Sequence, residues 1–166
     1  MTELTNLPDK AFTLNLARSY NAMNATLEKF GYPHSLIYSY QHWSILLRPQ
    51  QSTLGALILG ANCDATSFSR LPEEAFTELN KITEHIEMGL TRCFNYDKIN
   101  YLMLMMVDPH VHYHVIPRYK QIKEFEDLKV SDVGWPGPPD LSTETPFNDK
   151  QKKQLLSLLK NQWAEF

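Results

Sequence analysis

Residues 108–118 read DPHVHYHVIPR and contain three of the chain's six histidines, His110, His112 and His114, spaced two apart. The residues between and after these histidines are apolar and mostly β-branched, a composition that favours a strand. Successive side chains of a strand point to opposite faces. The spacing therefore predicts that all three imidazoles project from one face of a sheet.

Three neighbouring imidazoles form a site, because they repel one another when protonated together and need partners when buried together. A metal ion is one interpretation, since imidazole is the commonest metal ligand. Against it, Asp108 is the only nearby oxygen ligand, no cysteine lies close, and a His-Glu-x-x-His motif is missing. The other histidines are scattered singly: His34, His42 and His85. We expect a site without metal or other cofactor, with metal binding as an alternative.

The composition predicts an ordinary globular protein, with 43% hydrophobic and 21% charged residues among 166. One domain over residues 1–166 is expected at this length. The net charge of −3 gives no electrostatic reason to bind nucleic acid. Cys63 and Cys93 form no pairing motif, and the sequence has neither a signal peptide nor an apolar run of about 18 residues. These features predict a cytoplasmic protein with no membrane partner.

Hydrophobic periodicity predicts the elements that precede the histidine strand. An extra N-terminal helix is expected at about residues 9–30, and residues 35–47 should form two strands with a bend at 40–42. A short strand bounded by glycines follows at residues 55–60. The strongest helical pattern begins at Pro72, with two acidic residues in its first turn, and continues to Asn95.

Residues 99–107 are nearly all apolar, which predicts a central strand, covered on both faces and antiparallel to the histidine strand. Their three methionines are interpreted as core filling: Met103, Met105 and Met106. A C-terminal loop plus helix is expected over about residues 120–166. Within it, the segment WPGPP at residues 135–139 excludes helix and central strand, so it either caps the core or covers a pocket.

The segment His110-Val-His112-Tyr-His114-Val-Ile resembles, at every position, the His-φ-His-φ-His-φ-φ signature of the histidine triad (HIT) superfamily of nucleotide hydrolases and transferases. The resemblance covers roughly residues 36 to 119. It implies a HIT-like α+β fold, a five-stranded antiparallel sheet with helices packed on it. It also implies a small-molecule nucleotide substrate and a two-fold homodimer.

The same resemblance assigns roles to residues. His112 would be the nucleophile that attacks the α-phosphate of a nucleotide conjugate, His114 would contact the phosphate or the leaving oxygen, and His110 would orient its neighbours. Arg48 lies near a strand end where similar proteins often carry a ribose or phosphate contact; the alternative is a solvated loop arginine. The sequence leaves the leaving group and the base open.

This chain departs from many HIT enzymes at two places. Met106 stands where they carry a Gln four residues before the first triad histidine, and Asn62 and Asp64 stand where several carry a further histidine. The missing Gln argues against tight binding of a second phosphate and against dinucleoside polyphosphate hydrolysis. The expected activity is nucleotide hydrolysis or nucleotidyl transfer through a covalent histidine intermediate; the alternative is a nucleotide-binding or metal-binding protein without turnover.

Overall fold

The computed structural model describes residues 24–166. Five of its strands belong to one sheet: β1 Leu36–Ser39, β2 Trp43–Leu47, β3 Leu57–Ala61, β4 Lys98–Leu102 and β5 His112–Arg118. The sheet is antiparallel, and its strand order is β1-β2-β3-β5-β4. Together with the helices, this sheet confirms the predicted α+β fold. The bend predicted at residues 40–42 separates β1 from β2.

Three helices and a small hairpin complete the described chain. The helices are α1 Ala25–Lys29, α2 Glu73–Phe94 and α3 Asp149–Trp163, and the hairpin pairs β6 Lys123–Phe125 with β7 Leu128–Val130. A 3₁₀ turn covers Phe68–Arg70. Most of the helix predicted at residues 9–30 lies outside the described residues. In the part that is described, α1 is a separate short helix that begins at Ala25, with the extended Asn24 as its N-cap. None of the helices within residues 24–166 is both long and apolar enough to span a membrane.

The helix predicted from Pro72 to Asn95 is confirmed by α2. Glu73 and Glu74 occupy its first turn, where carboxylates complement the positive end of the helix dipole. Asn95 ends the helix in the left-handed conformation at φ 47°, which asparagine tolerates better than most residues. The final helix, α3, begins with a capping box between Asn148 and Gln151.

The sheet separates two apolar layers. Alternate residues of β2 and β3 pack with α2 and α3 in the main core, for example Ile45 and Leu59 with Leu90. On the opposite face, Leu46 and Ile58 pack with Leu27 of α1. The short helix α1 is therefore held against the sheet face that the main core leaves uncovered.

Gly60 of β3 allows α1 to approach this face closely. A Cβ atom added at Gly60 would lie 2.3 Å from the Cδ2 of Leu27, a fully buried side chain. Because Gly60 pairs with His112 in the sheet, the same glycine brings α1 next to the histidine strand.

The prediction of a central strand over residues 99–107 is wrong. β4 ends at Leu102 and, within residues 24–166, is an edge strand that pairs only with β5. The antiparallel pairing with the histidine strand is confirmed. Met105 packs against the main core as interpreted, whereas Met103 is 38% exposed and Met106 92% exposed, so core filling is wrong for these two. The apolar run has no period, and only the position of β4 in the sheet determines which of its residues are covered.

At the end of β5 opposite His112, Arg118 binds the long C-terminal loop. Its Nε lies 2.6 Å from Asp132 Oδ2, and both side chains are almost completely buried. Its Nη2 also donates to the carbonyl oxygen of Gly137 at 3.0 Å. The proline-rich segment is therefore fixed to Arg118 at Gly137, and the chain after it reaches Arg48, which binds the Leu141 carbonyl oxygen at 3.3 Å.

Candidate active site

β5 presents two of the three histidines on the face that α1 covers. His112 is completely buried and His114 is 7% exposed. His110 is part of the bend before the strand, so the prediction that all three histidines alternate along one strand is wrong for His110. The bend brings the main-chain carbonyl oxygen of His110 to 2.7 Å from His112 Nδ1.

A chain of hydrogen bonds connects Arg48, His114, His112 and His110. Arg48 Nε donates to His114 Nδ1 at 3.4 Å, His114 Nε2 lies 3.3 Å from His112 Nε2, and His112 Nδ1 lies 2.7 Å from the carbonyl oxygen of His110. A guanidinium can only donate and a carbonyl oxygen can only accept. These two ends assign the proton of each neutral ring.

The proton of each ring can be assigned from the partners of its two nitrogens. Because His114 Nδ1 accepts from Arg48, the proton of His114 is on Nε2, which donates to His112 Nε2. Because His112 Nδ1 donates to the carbonyl oxygen, His112 Nε2 carries the lone pair. The tautomer of an imidazole is set by the partner of its other nitrogen. The unprotonated nitrogen of His112 therefore lies next to a hydrogen-bond donor.

Arg48 is a buried residue, 6% exposed, which contradicts the interpretation of a solvated loop arginine. Its Nη1 donates to the carbonyl oxygen of Gln50, and its Nη2 donates to that of Leu141 at 3.3 Å. Burial lowers the pKa of the Arg48 guanidinium, and Glu144 opposes this shift. A guanidinium remains charged in proteins, so Arg48 places a fixed positive charge beside His114.

The surroundings of His114 favour its neutral form. Burial lowers the pKa of His114 to about 4, assisted by the neighbouring His112 and Arg48 and opposed by Asp108. Below this pKa the ring would carry a charge that its buried surroundings solvate poorly. At neutral pH His114 is therefore a neutral donor.

His110 is held by a residue of α1. The hydroxyl of Thr26 accepts from the main-chain N–H of His110 at 3.4 Å, and its oxygen lies 2.9 Å from His110 Nδ1. His110 Nε2, on the other side of the ring, lies 3.9 Å from a carboxylate oxygen of Asp64. Thr26 is not among the residues predicted from the sequence, because nothing in the histidine segment indicates a partner 84 residues away.

Phe30, which follows α1, was also missed. Its ring centroid lies 5.5 Å from those of both His112 and His114. Lys29, the neighbouring residue, pairs with Asp108 at 2.5 Å. A cavity of about 300 Å³ opens here and is lined by Lys29, Phe30, Arg48, Pro49 and Gln50. It provides an aromatic wall and two cationic side chains beside the histidines.

Comparison with known proteins decides the family. A family model described as the HIT domain matches residues 31–121. The chain belongs to the HIT family. Members of this family are in general nucleotide-binding hydrolases and transferases. None of the curated protein sequences matches this HIT protein.

Solved structures share the fold of this HIT protein. A histidine triad protein from Marinobacter aquaeolei has a TM-score of 0.67 and 20% identity, over 87% of this chain and 98% of that one. One from Sinorhizobium meliloti has the same TM-score and identity, over 85% and 96%. A hypothetical histidine triad nucleotide-binding protein from Sulfolobus tokodaii has a TM-score of 0.58 and 15% identity, over 79% and 84%. These likenesses confirm the HIT-like fold.

The departures of this HIT protein have structural explanations at Asn62 but not at Met106. Asn62 fastens the turn between β1 and β2, because its Oδ1 accepts from Ser44 Oγ at 2.7 Å and its Nδ2 donates to the Tyr40 carbonyl oxygen at 3.0 Å. Met106 is almost fully exposed in the turn after β4. Nothing in the structure explains its presence there.

No group of three metal-binding side chains is found in the part of the HIT protein that the structure describes. The histidine pair is engaged instead with Arg48 and with a main-chain carbonyl oxygen. His34 and His85 lie elsewhere: His34 lines a different cavity, and His85 binds the hydroxyl of Tyr40 at 2.9 Å.

Proposed function

We propose that this HIT protein is a nucleotide hydrolase or nucleotidyl transferase that forms a covalent intermediate on His112. The observation that carries the proposal is the tautomer assignment at the histidine pair, which leaves the lone pair of His112 on Nε2. A neutral imidazole with a free nitrogen is a competent nucleophile near pH 7.

In the first step, Nε2 of His112 attacks the α-phosphorus of a nucleotide conjugate. A P–N bond forms, and the bond between phosphorus and the leaving group breaks, so the bonding electrons depart with the leaving group. His114 Nε2–H, which points at His112 Nε2 in the free protein, turns to donate a hydrogen bond to a phosphate oxygen, and the leaving atom takes a proton from solvent. In the second step water, or an acceptor hydroxyl in the transferase case, attacks phosphorus and loses its proton to solvent. The P–N bond breaks, and its electron pair returns to His112 Nε2.

Arg48 has contacts of its own within the site, in addition to the ribose or phosphate contact expected from the sequence. Three of its five N–H groups are engaged, with His114 Nδ1 and with the Gln50 and Leu141 carbonyl oxygens. We therefore propose that Arg48 orients His114 and supplies charge near the phosphate. Lys29 and Phe30 line the adjoining cavity, where the nucleotide would lie with its apolar base against the ring of Phe30.

A homodimer is part of the proposal. The outer edge of β4 has no strand partner among residues 24–166, and four apolar side chains after it are exposed: Met103, Leu104, Met106 and Val107. Unpaired edges and exposed apolar clusters are typical of surfaces that associate. Sedimentation equilibrium should give a dimer mass that Leu104→Glu shifts towards the monomer; a wild-type monomer would contradict this part.

Turnover of AMP-linked compounds tests the activity. A panel that differs only in the leaving group, with amine, phosphate, sulfate, sugar and second-nucleotide members, should include at least one that releases AMP. Metal content of the purified protein is measured on the same preparation, because one tightly bound ion per chain, lost together with activity, would favour the metal alternative. Binding of AMP without turnover of any compound would favour a nucleotide-binding protein.

A further inference from the structure

A second cavity lies on the other side of Arg48 from the histidines. Its volume is about 240 Å³, and it is bounded by the start of β1, the loop after β2 and the first turns of α3. Arg48 and Pro49 line both this cavity and the one beside the histidines. We refer to it as the α3 cavity.

Positive charge is concentrated around the α3 cavity. Arg48, Lys152 and Lys153 line it, against a single carboxylate, that of Asp149. Within residues 24–166, no carboxylate oxygen lies within 4 Å of either lysine. The chain as a whole has a net charge of −3, so this is a local excess of cations. Like charges held close together are unfavourable unless an anion lies among them.

Lysines are also concentrated at the start of α3. Lys150, Lys152 and Lys153 occupy the beginning of the helix, where the helix dipole is positive and cations are unfavourable. The capping box satisfies two main-chain donors, the N–H groups of Asn148 and Gln151, and Asp149 is the acidic residue of the first turn, so the three lysine charges exceed the negative charge there. A bound anion would offset both the mutual repulsion of the lysines and their repulsion by the dipole.

The remaining walls of the α3 cavity are apolar. Leu47, Pro49 and Leu156 line it, and Lys152 is half-buried, so its methylene chain contributes to the same surface. Sites for drug-sized ligands usually measure roughly 300–1,000 Å³. A smaller space with an apolar floor and a cationic rim fits a compact apolar group that carries one anionic head.

We propose that the α3 cavity binds a small organic anion, with its charged head at Lys152 and Lys153 and its apolar body against Leu47, Pro49 and Leu156. His110, His112 and His114 do not line this cavity, although His34 does, and the site does not depend on the proposed nucleotide chemistry. The chemical class includes phosphate monoesters and carboxylates of about the size of a substituted benzene ring.

Phenyl phosphate and benzoate are suitable probes, titrated at millimolar concentration into ¹⁵N-labelled full-length protein. Amide shifts are expected in the first turns of α3 and in the loop after β2. Phenol, which lacks the charge, and inorganic phosphate, which lacks the apolar body, should each bind more weakly. The double variant Lys152→Gln/Lys153→Gln should weaken phenyl phosphate binding by about tenfold. Lys150→Gln, on the same helix but outside the cavity lining, should leave the affinity unchanged.

Shifts confined to residues 110–114 would overturn the proposal, as would the absence of any shift at α3. Equal affinity of the double variant and the Lys150→Gln control would overturn the role of the two lysines. Equal affinity for inorganic phosphate and phenyl phosphate would overturn the apolar part. The amide chemical-shift changes are measured on the wild-type protein, so this part of the test does not require a variant to fold.

Discussion

His112 and His114 face each other through Nε2 atoms 3.3 Å apart, so one of these nitrogens must donate and the other must accept. Arg48 determines which, because it can only donate to the far nitrogen of His114. The carbonyl oxygen of His110 gives the same answer from the other end of the chain. Two independent anchors thus place the lone pair of the site on His112 Nε2.

Replacing Arg48 should disturb this assignment. In Arg48→Met, His114 Nδ1 loses its donor, and both tautomers of His114 become populated. We expect turnover to fall by roughly 10²-fold, because the variant loses the fixed positive charge near the phosphate as well as the single orientation of the His114 donor. Imidazole ¹⁵N spectra of the wild type should show His114 protonated on Nε2 alone, and those of Arg48→Met a mixture.

Arg92→Met is the matched control, because Arg92 is an exposed arginine that pairs with Glu165. Its turnover and its histidine spectra should equal those of the wild type. A wild-type spectrum with the His114 proton on Nδ1 would refute the tautomer assignment directly.

Thr26 tests the link between α1 and the histidines. Thr26→Val keeps the shape of this buried side chain but removes the hydroxyl that contacts both His110 Nδ1 and the His110 main-chain N–H. We expect kcat to fall by about fivefold with little change in KM, because one neutral hydrogen bond contributes about 1 kcal/mol. Thr26→Ser, which retains the hydroxyl, should restore most of kcat. Equal kcat values for the Val and Ser variants would show that Thr26 only fills space.

The lowered pKa of His114 predicts a pH dependence of stability. The ring titrates at about 4 in the folded protein and near the ordinary value of about 6.5 in the unfolded chain. Between these values the unfolded chain binds more protons, so the free energy of unfolding rises with pH and levels off above about 6.5. From pH 4 to pH 7, the wild type should gain on the order of 2 kcal/mol over His114→Asn. Parallel curves from urea unfolding would contradict the shift.

The main elements could be predicted from the sequence because their patterns are local. The alternating histidines and β-branched residues indicate β5, and the acidic start and apolar stripe indicate α2. The predictions that are wrong depend on how segments far apart in the sequence pack together. Residues 99–107 are apolar whether or not a second strand covers them, and the sequence does not say that β4 lies at the edge of the sheet.

The candidate site was predictable in part for the same reason. His112 and His114 follow from the strand period, whereas His110 deviates because the chain bends before β5 begins. Thr26 and Phe30 reach the histidines through the packing of α1 at Gly60, a contact between distant segments. No period or motif in a single sequence encodes such a contact.

The ion pair of Arg118 and Asp132 should be a major source of stability at the other end of β5. In Asp132→Asn the guanidinium would remain buried without its counter-charge, a change that costs about 3–5 kcal/mol. Glu165→Gln breaks a surface pair with Arg92 and should cost less than about 1 kcal/mol. Urea unfolding of both variants gives the comparison. Similar losses of unfolding free energy in the two variants would contradict a larger contribution from the buried pair.

The proposed nucleophile provides the most direct test of function. His112→Asn should abolish turnover, because it removes the nitrogen that would form the bond to phosphorus. Nucleotide affinity should stay within about tenfold, or roughly 1.4 kcal/mol, since the cavity walls at Phe30 and Arg48 are unchanged. His110→Ala should cost less, because the contact to His112 Nδ1 comes from the main-chain carbonyl oxygen of residue 110, which the substitution retains. Rapid quench followed by mass spectrometry should find the nucleotide on the peptide that contains His112 in the wild type. If His112→Asn retains most of the activity on a substrate that the wild type turns over, the proposed mechanism is wrong.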